Sequence, residues 1–237
     1  SLLVIVGGLG FLVIPDLLRF QWANLPSLRR FRHFQRRRFG RPFARLTVQT
    51  RLSLAVTAAL LVAGTVGFWL LERRGALAGM DWRTQATAAW FQAVVPRTAG
   101  FSAVDVGRLQ TATLVLTMGL MAVGACPVST GGGIKTVTLG VLLASAHAWL
   151  RGRRQAELFG RALPYRATLA AAVMLFFYLL AAGTALFLLC LFEPELPLRD
   201  LAFETVSALS TVGLSTGVTP KLGAASRLVL CAVMFVG

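Results

Sequence analysis

Acidic side chains are scarce in this chain. Nine Asp and Glu stand against 24 Lys and Arg, and only 14% of the 237 residues are charged, where soluble domains carry about a quarter. Two histidines and three cysteines complete the list of common metal and redox ligands. His33 and His147 are isolated, and Cys126, Cys190 and Cys231 lie far apart, in or beside apolar segments. No zinc or redox spacing results, and the cysteines read as small hydrophobes. Paired carboxylates, a His/Cys cluster and a Ser/His/Asp set are all missing, so the sequence supplies no catalytic constellation and an enzyme is not expected.

Apolar residues are abundant. They make up 56% of the chain, with a mean hydropathy of +0.71. Several runs reach the roughly 20 residues a bilayer-spanning helix needs. The expected class is an all-α integral membrane protein embedded in a lipid bilayer. The net charge of +15 and pI of about 11.7 would suggest nucleic acid in a soluble protein. Here the arginines fall into two blocks between apolar runs, Arg19 to Arg45 and Arg151 to Arg166. That is the positive-inside signature of cytoplasmic loops, and nucleic acid is not an expected partner.

The runs alternate across a membrane. Residues 2–18 read as the inner end of one helix, with Gly7, Gly8 and Gly10 allowing close packing. Residues 47–71 cross outward, with Phe68 and Trp69 near the far interface. Residues 84–95 are too short to span and end at Pro96. Residues 109–150 would form a helix of about 60 Å, twice the hydrocarbon thickness, so a break is expected at Gly124–Gly133. Residues 166–192 cross outward, 200–210 form a second short segment, and the last apolar run heads inward. The outer connections carry Glu72, Asp81, Asp105, Glu193, Glu195 and Asp200. The chain starts and stops inside apolar runs, which reads as a piece of a longer protein.

Two stretches share one plan: long helix, short helix, glycine loop, long helix. Placing Gly100 on Gly213 aligns Thr98-Ala99-Gly100-Phe101-Ser102 with Thr211-Val212-Gly213-Leu214-Ser215. Repeats are common in transporters, with the substrate path between them. A potassium ion enters lipid only where oxygens replace its water shell. Rings of backbone carbonyls do this, and glycine permits the angles that aim them. A half-helix before each loop turns its partly negative end toward the cation. Either pentapeptide alone also suits a tight turn; two in register favour a filter. The expected filter positions are Thr98, Ala99, Gly100 and Phe101 with Thr211, Val212, Gly213 and Leu214, and K+ at these positions is the one metal expected.

Four motifs now carry a resemblance. GGLGF at 7–11, RTAGFS at 97–102 with MGLMAVGACPVSTGGGIKT at 118–136, ETVSALSTVGLSTG at 204–217, and MFVG at 234–237 occur in the order found in the Trk/Ktr/HKT superfamily of potassium transporters. The chain resembles the second half of a pore subunit of that superfamily. The resemblance implies repeated membrane helix–pore helix–membrane helix hairpins around one potassium pathway. It divides the chain into the end of a second repeat (1–18), a cytoplasmic linker (19–46), a third repeat with a broken inner helix (47–150), a linker (151–165) and a truncated fourth repeat (166–237). It implies homodimeric pore subunits in the bacterial cytoplasmic membrane and a cytosolic nucleotide-binding regulatory subunit of TrkA/KtrA type. In the superfamily an arginine follows the glycine matching Gly237 and contacts the intramembrane loop; this chain stops before it. No covalently bound cofactor is implied; K+ is the transported ion, with Na+ or H+ coupling left open.

The same resemblance makes residues 124–136 a flexible gate below the filter. Gly124, Ser129, Thr130, Gly131, Gly132, Gly133 and Lys135 are its expected members. The physical case is independent: three glycines leave two backbone arrangements close in energy, and Pro127 removes a helical hydrogen bond. A structural kink with Lys135 snorkelling to the cytoplasmic interface is the competing reading. A phosphate-binding loop is excluded because Ile134 separates Gly133 from Lys135. Arg97 is expected to brace its loop through a salt bridge or hydrogen bond. Glu204 is expected in the first turn of the second short helix, and Asp105 either gathers cations or is an ordinary solvated charge. A carrier for another solute and a membrane anchor or sensor are the alternatives; the chain offers neither a polar midplane pocket nor a sizeable loop domain.

Overall fold

The structure, a computed structural model, describes residues 2–10, 13, 16, 47–97, 99–127, 129, 131–153 and 155–237. The first arginine block and the linker expected at 19–46 lie outside the described residues.

The described chain is mostly helical. A short helix α1 (Leu2–Gly8) is followed by α2 (Val48–Glu72), α3 (Trp82–Val94), α4 (Thr111–Ala122) and α5 (Thr136–Leu150). A two-stranded antiparallel hairpin, β1 (Glu157–Leu158) and β2 (Arg161–Ala162), precedes α6 (Tyr165–Phe192), α7 (Leu198–Leu209) and α8 (Ala224–Val236). Helices α2 and α6 are long and apolar enough to cross a membrane. At 1.5 Å per residue they measure roughly 37 and 42 Å. Most of α6 faces outward, with Leu169, Val173, Phe176, Phe177, Leu180 and Phe187 all exposed. An uncovered apolar belt of this kind suits lipid, not water.

The boundaries have local causes. Thr47 caps α2, its hydroxyl accepting from the Thr50 amide at 3.2 Å. Pro96 lies in the 3-10 turn Val95–Arg97 that ends α3. Pro164 and Pro197, which cannot donate to a preceding turn, stand at the starts of α6 and α7.

Helix α2 packs on α3, α4 and α5; α6 packs on α5, α7 and α8; α4 meets α7 across the centre. One core joins the two halves, running from Phe68, Ala89, Leu114 and Met121 to Phe203, Val212 and Leu214. A second lies within α6, α7 and α8, around Leu189, Leu201, Leu209 and Leu230.

Three sequence expectations change. The first helix is interrupted: α1 ends at Gly8 and Gly10 takes a left-handed φ of 74°, Val13 and Asp16 are again helical, and the other residues of 11–18 lie outside the described ones. Phe68 is a core residue, 2% exposed, and only Trp69 reaches the surface, under the Arg73 guanidinium at 5.8 Å. The all-α reading omits the hairpin, whose strands are two residues each. Its turn, Phe159-Gly160, has positive φ at both residues, the geometry of a primed two-residue turn.

The outer and inner helices of each half are tied by one carboxylate. Glu72, at the end of α2, is fully buried. One of its oxygens accepts from the Gln110 amide (3.0 Å) and the Thr113 hydroxyl (2.6 Å), and the other from the Ala76 amide (2.9 Å). Glu193, just past α6, accepts from the Gly223 amide (2.7 Å) and the Ser226 hydroxyl (2.8 Å). Each carboxylate thus sits at the start of the inner helix, α4 or α8, where unsatisfied amides and the helix dipole favour an anion. Gln110 stands to Gly223, and Thr113 to Ser226, as Gly100 stands to Gly213.

The Gly223 amide and Ser226 hydroxyl hold the Glu193 carboxyl below its ordinary value of 4.5. A depressed folded-state pKa means the contribution is full above the ordinary carboxylate range and is lost as pH falls through the folded value. Glu193→Gln in the full-length protein should lower the melting temperature at pH 7, and the gap to wild type should close as the pH drops below about 4. Glu72→Ala should cost more, about 3 kcal/mol, because it removes three hydrogen bonds to a buried carboxylate and strands the buried Thr113 hydroxyl; thermal melts in detergent check both.

Candidate functional site: two glycine loops and a broken helix

The two glycine loops meet. A Cβ built on Gly100 would lie 2.2 Å from the Val212 carbonyl oxygen and 3.5 Å from the Gly213 carbonyl carbon. The two backbones are therefore in direct contact, and Gly100 has a φ of 63°, so glycine is required twice over. In the second loop Val212 and Leu214 point into the shared core, leaving Thr211 and Gly213 open. Thr211 and Gly213 both take positive φ, 53° and 85°. A β-branched residue in that region is a true outlier, of the kind that persists where the surroundings impose it. In the first loop Ala99 and Gly100 are half-buried and Phe101 is 72% exposed. Thr98 lies outside the described residues.

Each loop is held from its short helix. Gln92 Nε2 donates to Ser102 Oγ at 3.4 Å. Ser215 and Thr219 donate their hydroxyls, and Thr216 its amide (3.2 Å), to Glu204. Glu204 is not in the first turn of its helix as expected; α7 starts at Leu198, and Asp200 occupies that turn. Glu204 faces the returning chain and fixes the loop exit. Asp105 is exposed, caps the turn at Val106–Arg108 and pairs with Arg108 at 3.1 Å.

The helix that starts at Thr111 is interrupted between Ala122 and Thr136. Buried irregular backbone must find partners, and here they come from every side. The Ile134 amide donates to the Ala122 carbonyl (2.9 Å), with Val123 and Ile134 in a parallel bridge. The Cys126 amide donates to the Gly8 carbonyl (3.0 Å), and a Cβ on Gly10 would be 2.5 Å from the Pro127 oxygen. The Gly132 amide donates to Thr211 Oγ1 at 2.8 Å. Arg97 Nη2 reaches the Gly124 carbonyl at 3.5 Å.

The glycines of this segment fit for the same reason. A Cβ on Gly124 would be 1.8 Å from the Gly132 oxygen, and one on Gly133 would be 3.0 Å from the Ala122 oxygen. Lys135 does not snorkel: it is half-buried and turns back to donate to the Gly131 carbonyl. Ser129 Oγ is buried with no partner among the described residues, and Thr130 lies outside them.

The structure thus brings Gly100 to Val212 and Gly213, and Gly132 to Thr211. The carboxylates Glu72 and Glu193, the amide of Gln92 and the phenol of Tyr178 were not found from sequence. The usable signal was register: Thr113 and Ser226, like Ser102 and Ser215, keep the spacing of the two glycines.

Among known proteins, the family described as TrkH, cation transport protein, matches residues 1–237. The potassium/sodium uptake protein NtpJ of Enterococcus hirae is 36% identical over 241 residues, spanning 100% of this chain and 49% of that protein. The Ktr system potassium uptake protein B of Bacillus subtilis is 34% identical, over 100% of this chain and 49% of its own length. Its namesake in Vibrio alginolyticus is 35% identical, over 99% and 48%. The chain spans about half the length of these relatives. The crystal structure of the potassium transporter TrkH from Vibrio parahaemolyticus superposes with a TM-score of 0.71 at 17% identity, covering 99% of this chain and 47% of that one.

Gly100 and Gly213 separate two effects. At Gly213 nothing lies within 4 Å of where a Cβ would stand, so Gly213→Ala carries only the left-handed backbone penalty, about 1 kcal/mol. Gly100→Ala adds a clash with rigid backbone. Its loss of thermal stability in the full-length protein should be at least twice as large, and equal losses would contradict the contact.

Proposed function

We propose, from the premise that this chain belongs to the TrkH family of cation transport proteins, that it is part of a protein that takes up potassium across the cytoplasmic membrane. The observation that carries this reading is the backbone contact between Gly100 and Val212–Gly213. Carbonyl oxygens at Ala99, Gly100, Phe101, Thr211, Val212, Gly213 and Leu214, together with Thr98, are the groups that would replace the water of a bare cation. The names of the relatives support the same ion: NtpJ is a potassium/sodium uptake protein and the Ktr proteins are potassium uptake proteins. The family is one of cation transport, not of enzymes.

The segment 124–136 acts as the gate. It lies against the second loop through Gly132 and Thr211, so a change in one is felt by the other. Gly131, Gly132 and Gly133 give it the backbone freedom to adopt a second arrangement. Lys135 pins the near end through Gly131, and Gly124 forms the far end. The word "system" in the Ktr names fits a pore subunit that works with a cytosolic nucleotide-binding regulator, and two pore subunits pair in the membrane. Channel-like passage and coupling to Na+ or H+ are the modes this reading allows.

Full-length protein expressed in a potassium-uptake-deficient bacterial strain tests the reading. Wild type should restore growth on low potassium and carry rubidium. Gly100→Asp and Gly213→Asp should abolish both, and normal rescue by either variant would overturn the filter. Deleting Gly131–Gly133 should raise rubidium flux; unchanged flux and unchanged regulation would overturn the gate.

A further inference from the structure

The residue that leads into each glycine loop is fastened to the outer helix of its own repeat. Arg97 is 7% exposed, and its Nη2 lies 3.4 Å from Thr57 Oγ1 on α2. Ser210 is 1% exposed, and its Oγ lies 2.9 Å from the Tyr178 hydroxyl on α6. Arg97 stands to Gly100 as Ser210 stands to Gly213. Thr57 precedes Glu72 on α2 by the same number of residues as Tyr178 precedes Glu193 on α6. The two polar pairs are therefore equivalent in the repeat, although no residue type is shared. Size is inverted between them: a long Arg meets a short Thr, and a short Ser meets a long Tyr.

Packing alone does not call for these pairs. Among the described residues Arg97 has no carboxylate partner, and its Nε is buried without any hydrogen bond. Burying a guanidinium in this way is costly, most of all at membrane depth, and an apolar pair of the same volume would fill the space at less cost. Both pairs also reach the interrupted segment. Arg97 donates to the Gly124 carbonyl at 3.5 Å. Ser210 Oγ is 3.3 Å from where a Cβ on Gly133 would stand, and the Ser210 backbone is 3.1 Å from where one on Gly132 would stand.

We propose that Thr57–Arg97 and Tyr178–Ser210 are equivalent braces: positioning residues that fix each ion-binding loop against its outer helix and couple it to the 124–136 segment. This rests on the filter reading above. The braces touch no ion. They act by holding backbone, so they set how closely the carbonyls fit a given cation.

The test uses full-length protein in the uptake-deficient strain, with rubidium and sodium uptake measured beside membrane abundance. Tyr178→Phe and Ser210→Ala remove one hydrogen bond each with little change of volume. Each should raise the rubidium KM by about five-fold, the worth of one hydrogen bond, and narrow the preference for rubidium over sodium. The double variant should be no worse than either single one. In the third repeat Thr57→Val should act the same way and Thr57→Ser should restore wild-type values. Unchanged KM and ion preference in Tyr178→Phe and Ser210→Ala at normal abundance would overturn the braces while wild-type uptake stands. Additive effects in the double variant would overturn them too. A wild type that carries no rubidium would instead defeat the transport reading itself.

Discussion

Backbone amides and carbonyls that leave a helix in apolar surroundings must still be satisfied, and most of what is unusual here answers that demand. The break between Ala122 and Thr136 exposes polar groups where lipid or packed side chains offer none. Gly8, Arg97, Thr211 and Lys135, from four separate places in the chain, supply their partners. The glycines follow from this. Two strands of irregular backbone can lie in contact only where a Cβ is missing at the point of approach, as at Gly124 against Gly132 and Gly100 against Val212.

The carboxylate caps apply the same rule at helix ends. An inner helix that begins after an irregular loop has orphan amides, and a Glu delivered from the end of the outer helix meets them. This happens in both halves, through Thr113 in one and Ser226 in the other. The surroundings differ: Glu72 is sealed within the fold, whereas Glu193 is half-exposed. A repeated architecture has kept its hydrogen bonds while its side chains drifted.

The long helices were legible in the sequence because hydrophobic runs are bounded by proline and charge. The spans expected at 47–71 and 166–192 fall at Val48–Glu72 and Tyr165–Phe192. The short helices fall at Trp82–Val94 and Leu198–Leu209, slightly early, since the prolines Pro96 and Pro197 mark a stop and a start but not the opposite ends. What the sequence concealed were contacts between distant positions. Glu72 looks like a loop charge until Thr113 is brought to it, and nothing local announces that Gly10 interrupts a helix where it meets Pro127. The hairpin at Glu157–Ala162 was hidden because two-residue strands have no periodicity and Phe159-Gly160 is a rare turn pair.

Arg97 has a further effect through its charge alone. A full positive charge lies behind the first loop and a neutral hydroxyl behind the second, at matching positions of the repeat. The electric potential between the loops is consequently lopsided, higher beside Gly100 than beside Gly213. On the proposed reading, a monovalent cation passing there would be pressed toward the Gly213 side, so loops of one shared design would hold the ion unequally.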